Sequence, residues 1–124
     1  MYMSETYYLF KSDKPNKRFV MVMPTHKHLH YFGSNLRNYV EMHDKNSKHY
    51  VADHKARFKA RSAYLRRHAR DPKGKHAPSS MSDFINWDAP TYQQGIKAYE
   101  NEFNVKVIFK NRKFTLADKK KLLG

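Results

Sequence analysis

The chain lacks cysteine altogether, holds only four glycines and five prolines, and carries 11 acidic residues in 124. Without cysteine there is no disulfide, no thiolate metal site and no thiol nucleophile, and a reducing compartment is the natural setting. Four scattered glycines cannot build a Gly-rich phosphate loop or a Gly-x-Ser-x-Gly elbow, and no close acidic pair of the glycosidase type is present. No stretch approaches the roughly 18 consecutive apolar residues of a spanning helix. Met1-Tyr2-Met3-Ser4-Glu5 has no basic segment leading into an apolar one, so no secretory signal is expected. These absences argue against an enzyme, against a cofactor and against a small-molecule substrate.

What the chain has is positive charge: 25 Lys and Arg against 11 Asp and Glu, a formal +14 with a pI near 10.0. Self-repulsion of that size opposes compaction unless a partner neutralises it. Nucleic acid is one candidate, because Lys and Arg release its condensed counterions without reading sequence. An anionic membrane surface or the acidic face of another protein serves the same electrostatics.

Length suits one domain, and the apolar patterning predicts α+β architecture. Thr6 to Phe10, Arg18 to Met23 and His28 to Phe32 read as three short strands separated by turn chemistry at 11–16 and 24–27. Ser34 or Asn35 is placed to cap a helix from about Leu36. Val51, His54, Phe58, Ser62, Leu65 and Ala69 recur at spacings of three and four, which predicts a helix over about 46–70 whose stripe faces the sheet. Residues 71–80, with two prolines and a glycine, read as an exposed basic loop. Ser82 to Trp87 suits a helical turn, about 91–103 a helix stopped at Asn104, and 105–109 a strand. Thr115 with Asp118 resembles a capping box opening a basic last turn. The expected fold is a small antiparallel sheet of three or four strands covered by two main helices, a single domain over 1–109 with a basic tail at 110–124. Phe19, Met21, Val51, Phe58, Trp87, Ile96 and Tyr99 are the expected core.

The candidate binding residues lie where the charge is densest. Lys55, Arg57, Lys59, Arg61, Arg66, Arg67, Arg70, Lys73 and Lys75 are accompanied by one acid, Asp71, and Lys119, Lys120 and Lys121 add a second group. Like charges three or four apart on a helix repel, so Lys55 with Lys59 and Arg66 with Arg70 call for an anionic neighbour. Tyr64, Tyr39, Tyr50, Trp87 and Tyr92 surround the stretch in a pattern that suits base stacking, although so small a core needs the rings for itself. His26, His28 and His30 alternate along one strand face, while His43, His49 and His54 form a second group with Asp44 and Asp53. Neither completes a known metal signature, so no metal is expected.

Lys17-Arg18-Phe19-Val20-Met21-Val22, His30-Tyr31-Phe32-Gly33, Tyr39 with His43-Asp44, Tyr50 with His54, and Trp87-Asp88-Ala89-Pro90-Thr91 with Gly95-Ile96 together carry a resemblance. The chain resembles a family of small basic proteins of unknown function encoded by nucleocytoplasmic large DNA viruses. That resemblance implies a viral origin and a particle-associated role, such as a minor capsid or cement component. Its partners would then be other capsid or virion proteins, with the inner membrane surface as an alternative, and its location the virion, or the host cytoplasm or viral factory during assembly. The alternative on charge grounds is a nucleic-acid-binding protein that packages or condenses viral DNA.

Overall fold

The computed structural model describes residues 5–34, 38–67 and 78–124, which form two compact units. One comprises Met1–Asn35 with Glu100–Gly124, the other Leu36–Tyr99. The architecture is α+β, as the patterning predicts, though the chain divides into two units where a single domain over 1–109 is expected.

The first unit is built on a four-stranded sheet in the order β3-β2-β1-β4. Strands β1 (Glu5–Lys11), β2 (Lys17–Met23) and β3 (His28–Ser34) make the expected antiparallel meander, with Leu9 opposite Met21 and Phe19 opposite Phe32. A short 3-10 turn, Pro24–His26, joins β2 to β3, with Lys27 in the left-handed conformation at its end. Strand β4 (Val105–Lys113) corrects the expectation of an antiparallel sheet: it lies parallel to β1, with Tyr7 opposite Val107. Local patterning marks a strand but not its direction, which here follows from the long helical crossover between β3 and β4.

Side-chain alternation gives the sheet two faces. On one, Phe10, Val20, Val22 and Phe114 form a buried cluster with Tyr8, Leu29, Tyr31, Leu122 and Leu123 packed against it. On the other, Tyr7, Leu9, Met21 and Met23 are fully buried, and Phe19 meets Phe32 at 5.6 Å and Phe109 at 6.1 Å between ring centres. Residues 110–124 are therefore not a tail. Strand β4 runs on to Lys113, Phe114 enters the core, and α5 (Leu116–Leu123) docks through Leu122 and Leu123. The Thr115 capping box forms as expected, its hydroxyl accepting from the Asp118 amide while the Asp118 carboxylate accepts from the Thr115 amide. At the edge of the sheet the Val107 amide donates to the Glu100 carboxylate at 2.8 Å.

In the second unit, α1 (Tyr39–His43) starts at Asn38, whose side chain accepts from the Glu41 amide at 2.8 Å; of the two residues expected to cap a helix from Leu36, Ser34 ends β3, and Asn35 lies outside the described residues with Leu36 and Arg37. Helix α2 spans His54–Arg67 and corrects the expected start near 46. Asp44, Ser47 and Asp53 each take a backbone amide two residues on, at Asn46, His49 and Lys55, and so divert 44–53 into turns. Of the expected loop at 71–80, residues 71–77 lie outside the described residues, and 78–80 open α3 (Pro78–Ser82). A π-helical turn, Asp83–Trp87, continues from α3, and α4 (Tyr92–Phe103) follows, stopped by Asn104 at φ 52°. Gly95 lies where α4 presses on the π-helical turn, and a Cβ there would sit 2.4 Å from the Phe84 carbonyl oxygen.

Candidate functional site

Helix α2 is turned the opposite way from its apolar stripe. His54 and Phe58 are exposed and Ser62 is half-buried, while the inward side carries Arg57, Arg61 and Tyr64. Phe58, expected in the core, is 54% exposed. Val51 and Trp87 are half-buried, whereas Phe19, Met21, Ile96 and Tyr99 are buried as expected. The stripe misleads because arginine can present an aliphatic stem inward and satisfy its charged head on carbonyl oxygens.

Arg57 and Arg61 show this directly. Arg57 folds back on its own helix start, where Nη1 donates to the Val51 carbonyl at 2.6 Å and to that of Ala52 at 3.3 Å, and Nη2 lies 3.1 Å from His54 Nδ1. Arg61 Nε donates to the Trp87 and Asp88 carbonyls, both at 3.1 Å, and Nη2 lies 3.5 Å from Asp88 Oδ1. Its guanidinium also stands 5.6 Å from the Tyr39 ring centre. Alongside, Tyr64 and Trp87 stack at 4.1 Å with planes 5° apart. These contacts tie Arg57 and Arg61 to neighbouring backbone, so both half-buried side chains serve the fold of this unit.

Lys55 and Lys59 remain as the outward cations of α2, exposed and with no ion pair among the described residues. Arg66 and Arg67 occupy the last turn of the helix, their side chains outside the described residues, as are Arg70, Lys73 and Lys75 entirely. In the other unit Lys119, Lys120 and Lys121 are exposed on α5 near its C-terminal end, where the helix dipole favours cations. The two basic groups foreseen thus belong to different units.

The first unit holds further cations that the density argument passes over. Lys14 lies 4.0 Å from the Tyr31 ring centre, Arg112 5.1 Å from that of Phe10 and Lys110 6.0 Å from that of Tyr8. Lys11 and Lys113 sit opposite one another on neighbouring strands. Their signal is the basic residues of β4, Lys106, Lys110, Arg112 and Lys113, the last of which strand register sets beside Lys11 at the end of β1. Arg112 makes a two-pronged ion pair with Asp118, both contacts 2.7 Å, which holds the Asp118 carboxyl well below the usual range, helped by the Thr115 hydroxyl and amide. The Tyr31 hydroxyl, donating to Asp13 at 2.7 Å, is pushed up to about 12 by burial and then by that carboxylate.

The three histidines expected on one strand face are divided between β3 and the turn before it. His28 and His30 share one face of β3 with ring centres 5.5 Å apart, and His26, in the 3-10 turn, stands 6.0 Å from His28 and 2.9 Å from Glu5 Oε2. In the other unit His43 packs edge-on against Tyr39 at 4.6 Å, and burial, then the charges of Arg57 and His54, lower its pKa. His49 Nε2 lies 3.9 Å from Glu41 Oε2. Among the described residues no group of three or more His, Asp or Glu has the geometry to hold a metal ion. No helix of the described chain is long and apolar enough to cross a membrane. No protein-family model, curated protein or solved structure matches the chain.

Proposed function

We propose that this protein is a structural component of a virus particle, a minor capsid or cement protein that holds acidic neighbours through basic surfaces and catalyses no reaction. The observation that carries the reading is that each compact unit presents its own exposed cations, Lys55 and Lys59 on α2 and Lys119 to Lys121 on α5. A chain whose two units each carry exposed cations suits bridging, since each unit can engage a neighbour and linked binding multiplies affinity. The viral setting rests on the resemblance carried by the β2 run, the Tyr39, His43 and His54 positions and the Trp87–Thr91 segment. Genome packaging draws on the same cations, and it separates from the capsid reading by where the protein sits and how it responds to salt.

Fractionating purified particles into shell and genome-containing core tests the reading. A cement protein stays with the shell, and a condensing protein leaves with the genome. Duplex DNA titrated with the protein at increasing salt gives the second arm: packaging requires a steep loss of affinity that follows the number of phosphates neutralised. Recovery with the core together with such a slope would refute the capsid role. Arg61 is unsuitable for charge-removal variants in either arm, because it holds the fold.

A further inference from the structure

The oddest feature of α2 is an inversion: Arg57 and Arg61 turn to carbonyl oxygens while Phe58 stands outside, 54% exposed, in the middle of a basic helix. One turn back from Phe58 lie His54 and Lys55 and one turn on lies Ser62, with Lys59 next in the chain; His54, Lys55 and Lys59 are exposed and Ser62 is half-buried. We propose that the outer face of α2 is a docking surface for another protein, in which Phe58 enters an apolar pocket rimmed by carboxylates that meet Lys55 and Lys59. This deepens the proposed function and rests on it, because it gives one of the basic surfaces a partner class.

The chemistry of the face favours a protein over the other polyanions. A duplex offers phosphates but no apolar pocket for a lone ring projecting from a helix, so nucleic acid would use the lysines and leave Phe58 in water. A membrane needs a broad apolar face opposite the charged one. Among the described side chains of α2 the other exposed ones are His54, Lys55, Ala56, Lys59 and Ala63. A second copy brings the same lysines and a formal +14 of its own, which repels. An aromatic anchor ringed by charges is the pattern by which protein interfaces concentrate affinity at a few side chains.

The test titrates the full chain with three probes of equal length: an amphipathic Glu/Leu peptide, poly-glutamate and duplex DNA. The wild type is expected to bind the Glu/Leu peptide about tenfold or more tighter than poly-glutamate, the fold-change that burying one large apolar side chain supplies. Phe58→Ala removes that advantage and leaves poly-glutamate binding unchanged, Phe58→Leu keeps most of it, and Lys55→Gln with Lys59→Gln weakens both acidic peptides. An equal preference in wild type and Phe58→Ala overturns the proposal while the basic-surface reading stands. Tighter binding of DNA than of either peptide, insensitive to Phe58→Ala, also overturns it. If none of the three probes binds, both the proposal and the reading beneath it fail. Phe58→Gln, which removes the apolar anchor at an exposed position, carries the comparison should Phe58→Ala fail to fold.

Discussion

Replacing Arg61 separates a cation that builds the protein from one that serves a partner. Its side chain is 24% exposed and supplies one Nε–H shared by two carbonyl oxygens and a 3.5 Å contact with Asp88. A hydrogen bond from a charged donor contributes about 1.5–3 kcal/mol, the partly exposed ion pair less than about 1 kcal/mol. Truncation also leaves the Trp87 and Asp88 carbonyls without this donor. Arg61→Gln is therefore expected to cost about 2–3 kcal/mol and lower Tm by about 10 °C. Arg61→Lys should lose most of the same stability, because an ammonium keeps the charge but not the Nε–H geometry. Trp87 is the sole tryptophan and lies face to face with Tyr64, so its fluorescence reports on this contact locally during the melt. Lys59→Gln, at an exposed position, should stay within about 0.5 kcal/mol of wild type. Melting of Arg61→Lys with the wild type, with Trp87 emission unmoved, would refute a role for the Nε–H, since charge alone would then account for the residue.

Gly95→Ala places a methyl group against the Phe84 and Ile85 backbone and should cost about 1–3 kcal/mol or more in a thermal or urea melt, against the gain that alanine brings in an unconstrained helix. Thr115→Ala removes the α5 cap and should cost about 1 kcal/mol, read as earlier amide exchange at Leu122 and Leu123. Because the Asp118 carboxyl is held low in the folded state, its contribution is complete above the unfolded value near 3.8 and fades as pH falls below it; Asp118→Asn should flatten that acid limb of a stability profile. His43 is also held low, so the folded state resists its protonation and loses stability as pH falls through about 6.5. His43→Gln should show a smaller drop than wild type between about pH 7 and pH 5 in urea midpoints.

The strands were legible because each buries a short run of bulky side chains: Phe19 to Met23 could hardly be anything else, and the turns at 11–16 and 24–27 bound it. Caps were legible where one side chain decides the matter, as at Asn104 and Thr115. The beginning of α2 was not, because Asp44, Ser47 and Asp53 compete for backbone amides in a stretch whose spacing also suits a helix. Nor was its facing, since Val51, His54 and Phe58 make as good a stripe as Arg57, Arg61 and Tyr64 until the carbonyls of Trp87 and Asp88, far along the chain, select the latter. The parallel pairing of β4 is likewise a property of the crossover rather than of its residues. Charge density along the chain marks the exposed lysines of α2 and α5, but charge sign says nothing of the carbonyl contacts of Arg57 and Arg61 or of the cations that strand register brings together, such as Lys11 and Lys113.

Lysine acylation in intact particles, compared with the free protein, tests most directly whether another macromolecule covers the exposed cations. The account predicts that Lys55, Lys59 and Lys119 to Lys121 react markedly more slowly in the particle, and that carbodiimide joins some of them to aspartate or glutamate of other chains. Reaction at the same rate in both settings, with no such links, would contradict it.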